Sequence, residues 1–410
     1  TLVVAPTSVC FNWADEMRRF APVLNPRVMH DLNDREAEIS EMGPFDVLMC
    51  SYTLMHRHAE NLREMHWTTL VLDEAQAIKN PRSKTSLALQ RLQASQRICL
   101  TGTPLENSVL DVWSLFHFLI PGLLGSPEAF KRRFLKPIEQ QGDRDALAHL
   151  MGRIRPFVLR RRKEDVALEL PPKTQSRRQV TLTGAQRDLY EAVRVTMLKR
   201  VREALKERGL VKSHVTIFDA LLKLRQICCD PRLLPASVQP KKKRGESAKL
   251  KELLTLLESL KAEGARVLLF SQFTSMLELI EKAIAPQGWA AQKLIGSTPA
   301  KTRQQRIDAF QRGDANFFMI SLKAGGTGLN LTQADTVIHY DPWWNPAVES
   351  QATDRAHRIG QTHPVHEIKL IAEGTVEARI CEMQTRKADL ASALFDTGAH
   401  KTAKLTEADA

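Results

Sequence analysis

Two separate regions of this chain carry short apolar runs that alternate with longer helical patterns, and this alternation restricts the possible folds most. In the first region the runs are LVVAP at 2–6, DVLMC at 46–50, TLVL at 69–72 and RICL at 97–100. In the second they are RVLLF at 266–270, NFFMI at 316–320, TVIHY at 336–340 and HEIKLI at 366–371. Runs this short, bounded by turn residues, read as buried strands. Strands that alternate with helices imply parallel sheets covered on both faces. The expected fold class is therefore α/β, with two sheets. A length of 410 residues agrees with two domains plus connecting material at roughly 150 residues each.

The connecting material has a different texture. Residues 184–230 read as helical and are rich in Arg, Lys and Leu. The stretch PRLLPASVQPKKKRGES at 231–247 carries three prolines and a basic run, and reads as a flexible linker. Its run from Lys241 to Arg244 is either a solvated linker face or a DNA-contacting or nuclear-import patch. The chain opens on Thr1 and enters an apolar run at once, which reads as a piece excised from a longer protein.

Charge narrows the class of partner. Lys and Arg total 59 against 47 Asp and Glu, a formal charge of +12, which favours a polyanion. No run approaches the ~18 consecutive apolar residues of a membrane span, and nothing at the N-terminus reads as a signal peptide, so no membrane partner is expected. The six cysteines form no C-x-x-C pair. Structural zinc is therefore not expected, and the usage fits buried free thiols in a reducing compartment.

Four segments carry candidate chemistry. In VLDEAQAIKN at 71–80 an apolar strand ends on Asp73 and Glu74. Ligands of open parallel sheets bind beyond the carboxyl ends of strands. There one carboxylate can hold Mg²⁺ through its waters, and the next can orient and deprotonate a water. In CLTGTPLEN at 99–107, Thr101, Gly102 and Thr103 follow the strand RICL and permit a tight turn with hydroxyls beside the first site. In SLKAGGTGLNLT at 321–332 three glycines within four residues leave backbone N–H groups accessible to phosphates, and Lys323 adds a charge. In DPWWNPAVESQATDRAHRIGQ at 341–361, Asn345 can cap a helix with Pro346 in its first position and Gly360 at its end. Gln351, Arg355 and Arg358 would then share one face. Arginines so placed can stabilise charge on a transferring phosphoryl group. Trp343 and Trp344 read as packing residues.

The order and wording of these segments resemble the Swi/Snf-type family of ATP-driven DNA translocases, within the superfamily-two helicase-like motors. VAPTSVCFNW at 4–13, LTGTPLENSVLDVWSLFHFLIPGLLG at 100–125, RPFVLRRRKEDVALELPPK at 155–173, FSQFTSMLELIE at 270–281 and EGTVEARI at 373–380 extend the resemblance over nearly the whole chain. It implies two RecA-like lobes with helical protrusions near 112–165 and 184–230. The first lobe would span 1–165, a protrusion and linker 166–247, and the second lobe 248–410.

Carried over by position, the resemblance implies ATP and Mg²⁺ as cofactors, with Asp73 on Mg²⁺ and Glu74 activating water. Thr101, Gly102 and Thr103 would couple hydrolysis to movement, with Gln351, Arg355 and Arg358 on the nucleotide and the two arginines as fingers. Pro6, Asn12 and Trp13 match the first-lobe motif that touches one DNA strand. Ser271, Gln272, Ser321 and the Lys323–Gly328 loop, with Gly325 and Gly326, match second-lobe DNA-tracking segments. The implied partners are double-stranded DNA and protein–DNA complexes, for a monomeric motor of the bacterial cytoplasm and nucleoid, or of the nucleus in a eukaryote. There are departures. Ala75-Gln76 stands where the family usually has Gly-His, as in compact bacterial members. No Gly in the chain is followed by Lys, so a G-x-x-x-x-G-K-[ST] phosphate loop is missing, and with it the first sheet's central strand. A fragment that grips DNA or a partner without turnover, and a strand-separating helicase, stand as the other readings.

Overall fold

A computed structural model of the protein describes residues 1–102, 108–161, 163, 169–235, 246–325 and 329–395. The chain divides into two compact units, residues 1–162 and residues 163–387. Each is built on its own parallel sheet.

In the first unit β1 (Leu2–Ala5), β2 (Asn25–Val28), β3 (Asp46–Ser51), β4 (His66–Asp73) and β5 (Gln93–Leu100) are ordered β2-β3-β1-β4-β5. Every pairing is parallel. Side chains alternate across a strand, and both faces are buried along β1, β3 and the second half of β4. Leu2, Val4, Leu48, Leu70 and Leu72 enter one core, while Val3, Ala5, Val47, Met49 and Val71 enter the other. This is why the strands read as unbroken apolar runs and not as alternating ones. Each such side chain, fully buried, contributes roughly 1.5–3 kcal/mol. Helices between residues 109 and 154 form a satellite with its own core around Trp113, Phe116, Phe130 and Phe134. Ser108 starts it with a capping box to Asp111, and Ser114 Oγ fastens it by donating to the Ile78 carbonyl at 2.6 Å.

The second unit contains β6 (Lys173–Val180), β7 (Val267–Ser271), β8 (Ala291–Leu294), β9 (Phe317–Ser321), β10 (Thr336–His339) and β11 (Val365–Ala372). Their order is β6-β11-β10-β7-β9-β8, again all parallel. Val267, Leu269, Met319 and Ile338 face one core, and Leu268, Phe270, Ile320 and Val337 the other. The helix Gly184–Cys229 occupies much of the stretch expected as protrusion and linker. Residues 173–180 in that stretch are a strand instead, pairing with β11 along its whole length. The sequence KTQSRRQV conceals it because β6 is an edge strand, exposed along most of its length. The linker expected at 231–247 falls largely on residues outside those described; Ser247, at its end, caps the helix Ala248–Ala262.

Candidate functional site

In the first unit the sheet order itself gathers the expected residues. β4 lies between β1 and β5, so the segments leaving three adjacent strands share one end of the sheet. β1 runs through Pro6 into the helix Thr7–Phe20, which carries Asn12, exposed, and Trp13, half-buried. β4 ends on Asp73. β5 ends on Leu100, just before Thr101 and Gly102.

The turn after β4 is sharp. Glu74 adopts φ 52°, ψ 52°, the left-handed region, which a residue with a Cβ occupies at a cost of about 1–3 kcal/mol. The reversal starts the 3₁₀ turn Ala75–Ile78, whose Ala75 and Ile78 are buried in the core while Glu74 and Gln76 stay half-exposed.

Hydrogen bonds join the three segments. Trp13 Nε1 donates to Asp73 Oδ2 at 2.8 Å, and the Glu74 N–H donates to Asp73 Oδ1 at 2.9 Å. Gln76 Nε2 donates to Glu74 Oε2 at 2.7 Å, and Thr101 Oγ1 donates to Gln76 Oε1 at 2.9 Å. Tyr52 Oη, positioned by a helix that Ser51 caps, donates to the Asp73 carbonyl at 2.8 Å. Burial, reinforced by Cys99, Asp73 and Glu74, pushes the Tyr52 hydroxyl far up, so it remains a donor. Burial also pushes the Cys10 and Cys99 thiols up to about 12, which leaves no thiolate here. Thr103 lies outside the described residues.

Among the described residues no three His, Cys, Asp or Glu side chains form a metal-holding group. A divalent cation at Asp73 would keep most of its waters, and Mg²⁺ binds in that way. The donor set fits that ion.

The second unit departs from expectation in three places. The helix capped by Asn345 spans Pro346–Thr353 and does not reach Gly360; Asn345 Oδ1 accepts from the Ala347 N–H at 3.0 Å, with Pro346 first. It closes early because the backbone is diverted into tertiary bonds. The Leu331 N–H donates to the Arg355 carbonyl at 3.0 Å, and Gln361 Nε2 donates to the carbonyls of Ala334 and Ala356. Arg355 and Arg358 thus stand in turns and do not share a helical face with Gln351. Arg355 is 9% exposed, whereas Arg358 is open to solvent.

The second departure concerns Lys323 and Gly325, which lie in the short helix Leu322–Gly325 and not in a loop. Ser321 Oγ accepts from the Ala324 N–H at 3.4 Å, an N-cap pattern that winds the chain directly off β9. Gly326 to Gly328 lie outside the described residues. Third, Ser271 is buried, and its hydroxyl donates to Asp341 Oδ1 at 2.6 Å; the Gln272 N–H reaches the same oxygen at 3.3 Å. Burial pushes the Asp341 carboxyl up, against the pull of Arg225 and Ser271.

Sequence reasoning missed Tyr52, the bridging role of Gln76, and Asp341. Gln76 stood out only as a departure from the family's Gly-His. Asp341 opens the quoted DPWWNP stretch but carries no local signal of burial.

Residues 1–233 match the profile described as SNF2-related domain, and residues 248–360 that of the helicase conserved C-terminal domain. The chain is 39% identical over 394 residues to the putative ATP-dependent helicase/translocase YwqA of Bacillus subtilis, covering 95% of this chain and 42% of that protein. It is 36% identical over 411 residues to SWI/SNF-related matrix-associated actin-dependent regulator of chromatin subfamily A member 1 of Mus musculus, covering 97% of this chain and 38% of that protein. The chain therefore spans about two fifths of the length of these relatives. A solved structure, the Sulfolobus solfataricus SWI2/SNF2 ATPase core in complex with dsDNA, aligns at 36% identity over 97% of this chain and 82% of that one, with a TM-score of 0.46.

Proposed function

This chain belongs to the SNF2-related family, and from that premise we propose that it acts in a motor that hydrolyses ATP to move along double-stranded DNA and remodel protein–DNA complexes. The observation that carries the proposal is the connected chain Thr101–Gln76–Glu74 beside Trp13–Asp73. It joins a carboxylate pair to the segments leaving both neighbouring strands. A solvated acidic loop has no need of such connections. The names of relatives, a helicase/translocase and a regulator of chromatin, agree with this reading.

Bound ATP and Mg²⁺ would supply the phosphoryl group and neutralise its charge. Asp73 would hold the cation's waters. Glu74 would orient the attacking water and take its proton on a carboxylate oxygen. Gln76 would transmit the position of Glu74 to Thr101, with Gly102 and Thr103 completing that turn. Gln351 would contact the nucleotide, and Arg355 and Arg358 would offset charge on the transferring phosphate. Pro6, Asn12, Ser321 and Lys323 to Gly326 would follow the DNA backbone; Ser271 would act through Asp341 to set the Gln272 backbone.

A non-hydrolysing gripping module is the second reading, and the absence of any Gly-Lys pair favours it for these 410 residues alone. ATP turnover by the upstream-extended protein, with and without duplex DNA, separates the two. Stimulation by duplex supports the motor. No turnover with intact ATP binding overturns it. The 410-residue chain alone should show no DNA-stimulated turnover; rates near 1–10 s⁻¹ would refute the need for an added phosphate loop.

A further inference from the structure

We propose that Arg225 is a positioning residue that ties the long helix to the two turns flanking Asp341, so that movement of that helix resets both turns at once. This rests on the motor reading for its consequence, but not for its geometry.

Arg225 lies in the last turns of the helix Gly184–Cys229 and is 3% exposed. Its Nη2 donates to the Pro342 carbonyl at 2.5 Å and lies 3.6 Å from Asp341 Oδ2. The guanidinium carbon sits 5.6 Å and 5.3 Å from the rings of Trp343 and Trp344, both within cation–π range. An Arg cannot shed its charge, so one buried cation is held by one carboxylate, one carbonyl and two indoles. The other oxygen of Asp341 holds Ser271 and the Gln272 N–H. The far side of the tryptophan turn leads through Asn345 into the helix that precedes Arg355 and Arg358.

A neighbouring pair reinforces the arrangement. Lys249, fully buried, forms an ion pair with Glu377 at 2.6 Å and donates to the Tyr340 carbonyl at 2.9 Å. Two buried cations thus grip the backbone on either side of Asp341, and one of them belongs to the long helix. Planar stacking and a directed N–H are properties of Arg that Lys does not reproduce. A purely structural ion pair would not require them.

The test uses Arg225→Met/Asp341→Asn. It removes both charges together, which commonly preserves a fold, and it keeps an oxygen for Ser271. Hydrogen exchange on the 410-residue chain should accelerate at least about tenfold over residues 341–346, with β7, β9 and β10 within about twofold of the parent. Unchanged protection of 341–346 overturns the positioning. In the upstream-extended protein, duplex-stimulated kcat of this double variant should fall at least about tenfold, and in Arg225→Lys, which leaves Asp341 in place, basal turnover and KM for ATP should stay within about twofold. Stimulation equal to the parent's in the double variant overturns the coupling. Arg225→Lys, which retains the ion pair, should show the same effects at smaller size; parent-like behaviour in both assays overturns the role of the planar cation. A parent that duplex fails to stimulate defeats the motor reading, while the exchange measurement still decides the positioning.

Discussion

Trp13 and Asp73, 60 positions apart in sequence, are joined by an indole N–H donated to Oδ2 at 2.8 Å. The resemblance assigns one residue to DNA and the other to Mg²⁺, so the two tasks meet in a single bond. With the Glu74 N–H on the other oxygen, the carboxylate keeps about half of its roughly four acceptor positions for a cation's waters. Hydrogen bonds to charged groups are worth about 1.5–3 kcal/mol. Trp13→Phe in the upstream-extended protein should therefore raise the Mg²⁺ concentration for half-maximal hydrolysis by about tenfold or more. An unchanged Mg²⁺ titration would show the bond to be incidental.

Glu74→Gln should abolish hydrolysis while leaving ATP binding in place, because the amide keeps the shape but accepts no proton. Gln76→Leu should be milder, since it cuts the link between Glu74 and Thr101 without removing the base. A loss of roughly tenfold in kcat is expected. Steady-state turnover with a parallel nucleotide-binding measurement checks both; wild-type turnover in Glu74→Gln moves the base elsewhere.

The two arginines should separate. Arg358 is exposed, so Arg358→Ala should lower kcat by roughly 10³-fold with no change in melting temperature. Arg355 is buried in the turn held by Leu331, so Arg355→Ala should lower kcat and also destabilise the chain by about 1–3 kcal/mol. Equal, normal turnover in both variants would remove the fingers from this turn.

Glu367 predicts an acid limit for the second unit. Burial pushes its carboxyl up, but His339, Lys369, Gln175 and Lys173 together hold it below the ordinary value. Its stabilising effect is then present above the unfolded pKa of about 4.3 and disappears as pH falls through the lower folded value. Glu367→Gln should be less stable than the parent at pH near 7, and the difference should shrink as pH falls through the lowered folded value. Urea denaturation over a descending pH series decides; a constant difference would place the stabilisation outside the charge.

The DNA reading predicts mainly phosphate contacts. Affinity for duplex should fall with salt at a log–log slope of about −0.9 per neutralised phosphate. Lys323→Ala should reduce that slope by about one and weaken every sequence alike. An effect confined to one sequence, or no binding at low salt, would count against it.

What was legible in the sequence follows a physical rule. All eight apolar runs are strands; seven are covered on both faces and so are apolar throughout, while the run at 97–100 ends the edge strand β5, where Ile98 and Leu100 are exposed. The unread strands are β2, β6 and β8, and each is a sheet edge. An edge strand needs no continuous apolar run, so NPRV with its Pro26, KTQSRRQV and AQKL carry no such signal. At the candidate site, Asp73, Glu74 and Thr101 could be read because they directly follow such runs. Arg355 and Arg358 were misplaced on a helix because periodicity cannot register a bond from Leu331. Arg225 carries no signal either, since a helix rich in Arg and Lys gives no sign of which cation turns inward.

The pairing of β6 with β11 also sets a schedule for synthesis. The partners Gln175 and Glu367 lie 192 positions apart. At roughly 5–20 residues per second, the first strand of the second unit leaves the ribosome some tens of seconds before its neighbour exists. A hydrophobic strand left waiting that long would invite association with other nascent chains. The arginines and glutamines of β6 instead keep it hydrated until β11 arrives. The strand least visible in the sequence is thus the one whose polarity best suits the wait.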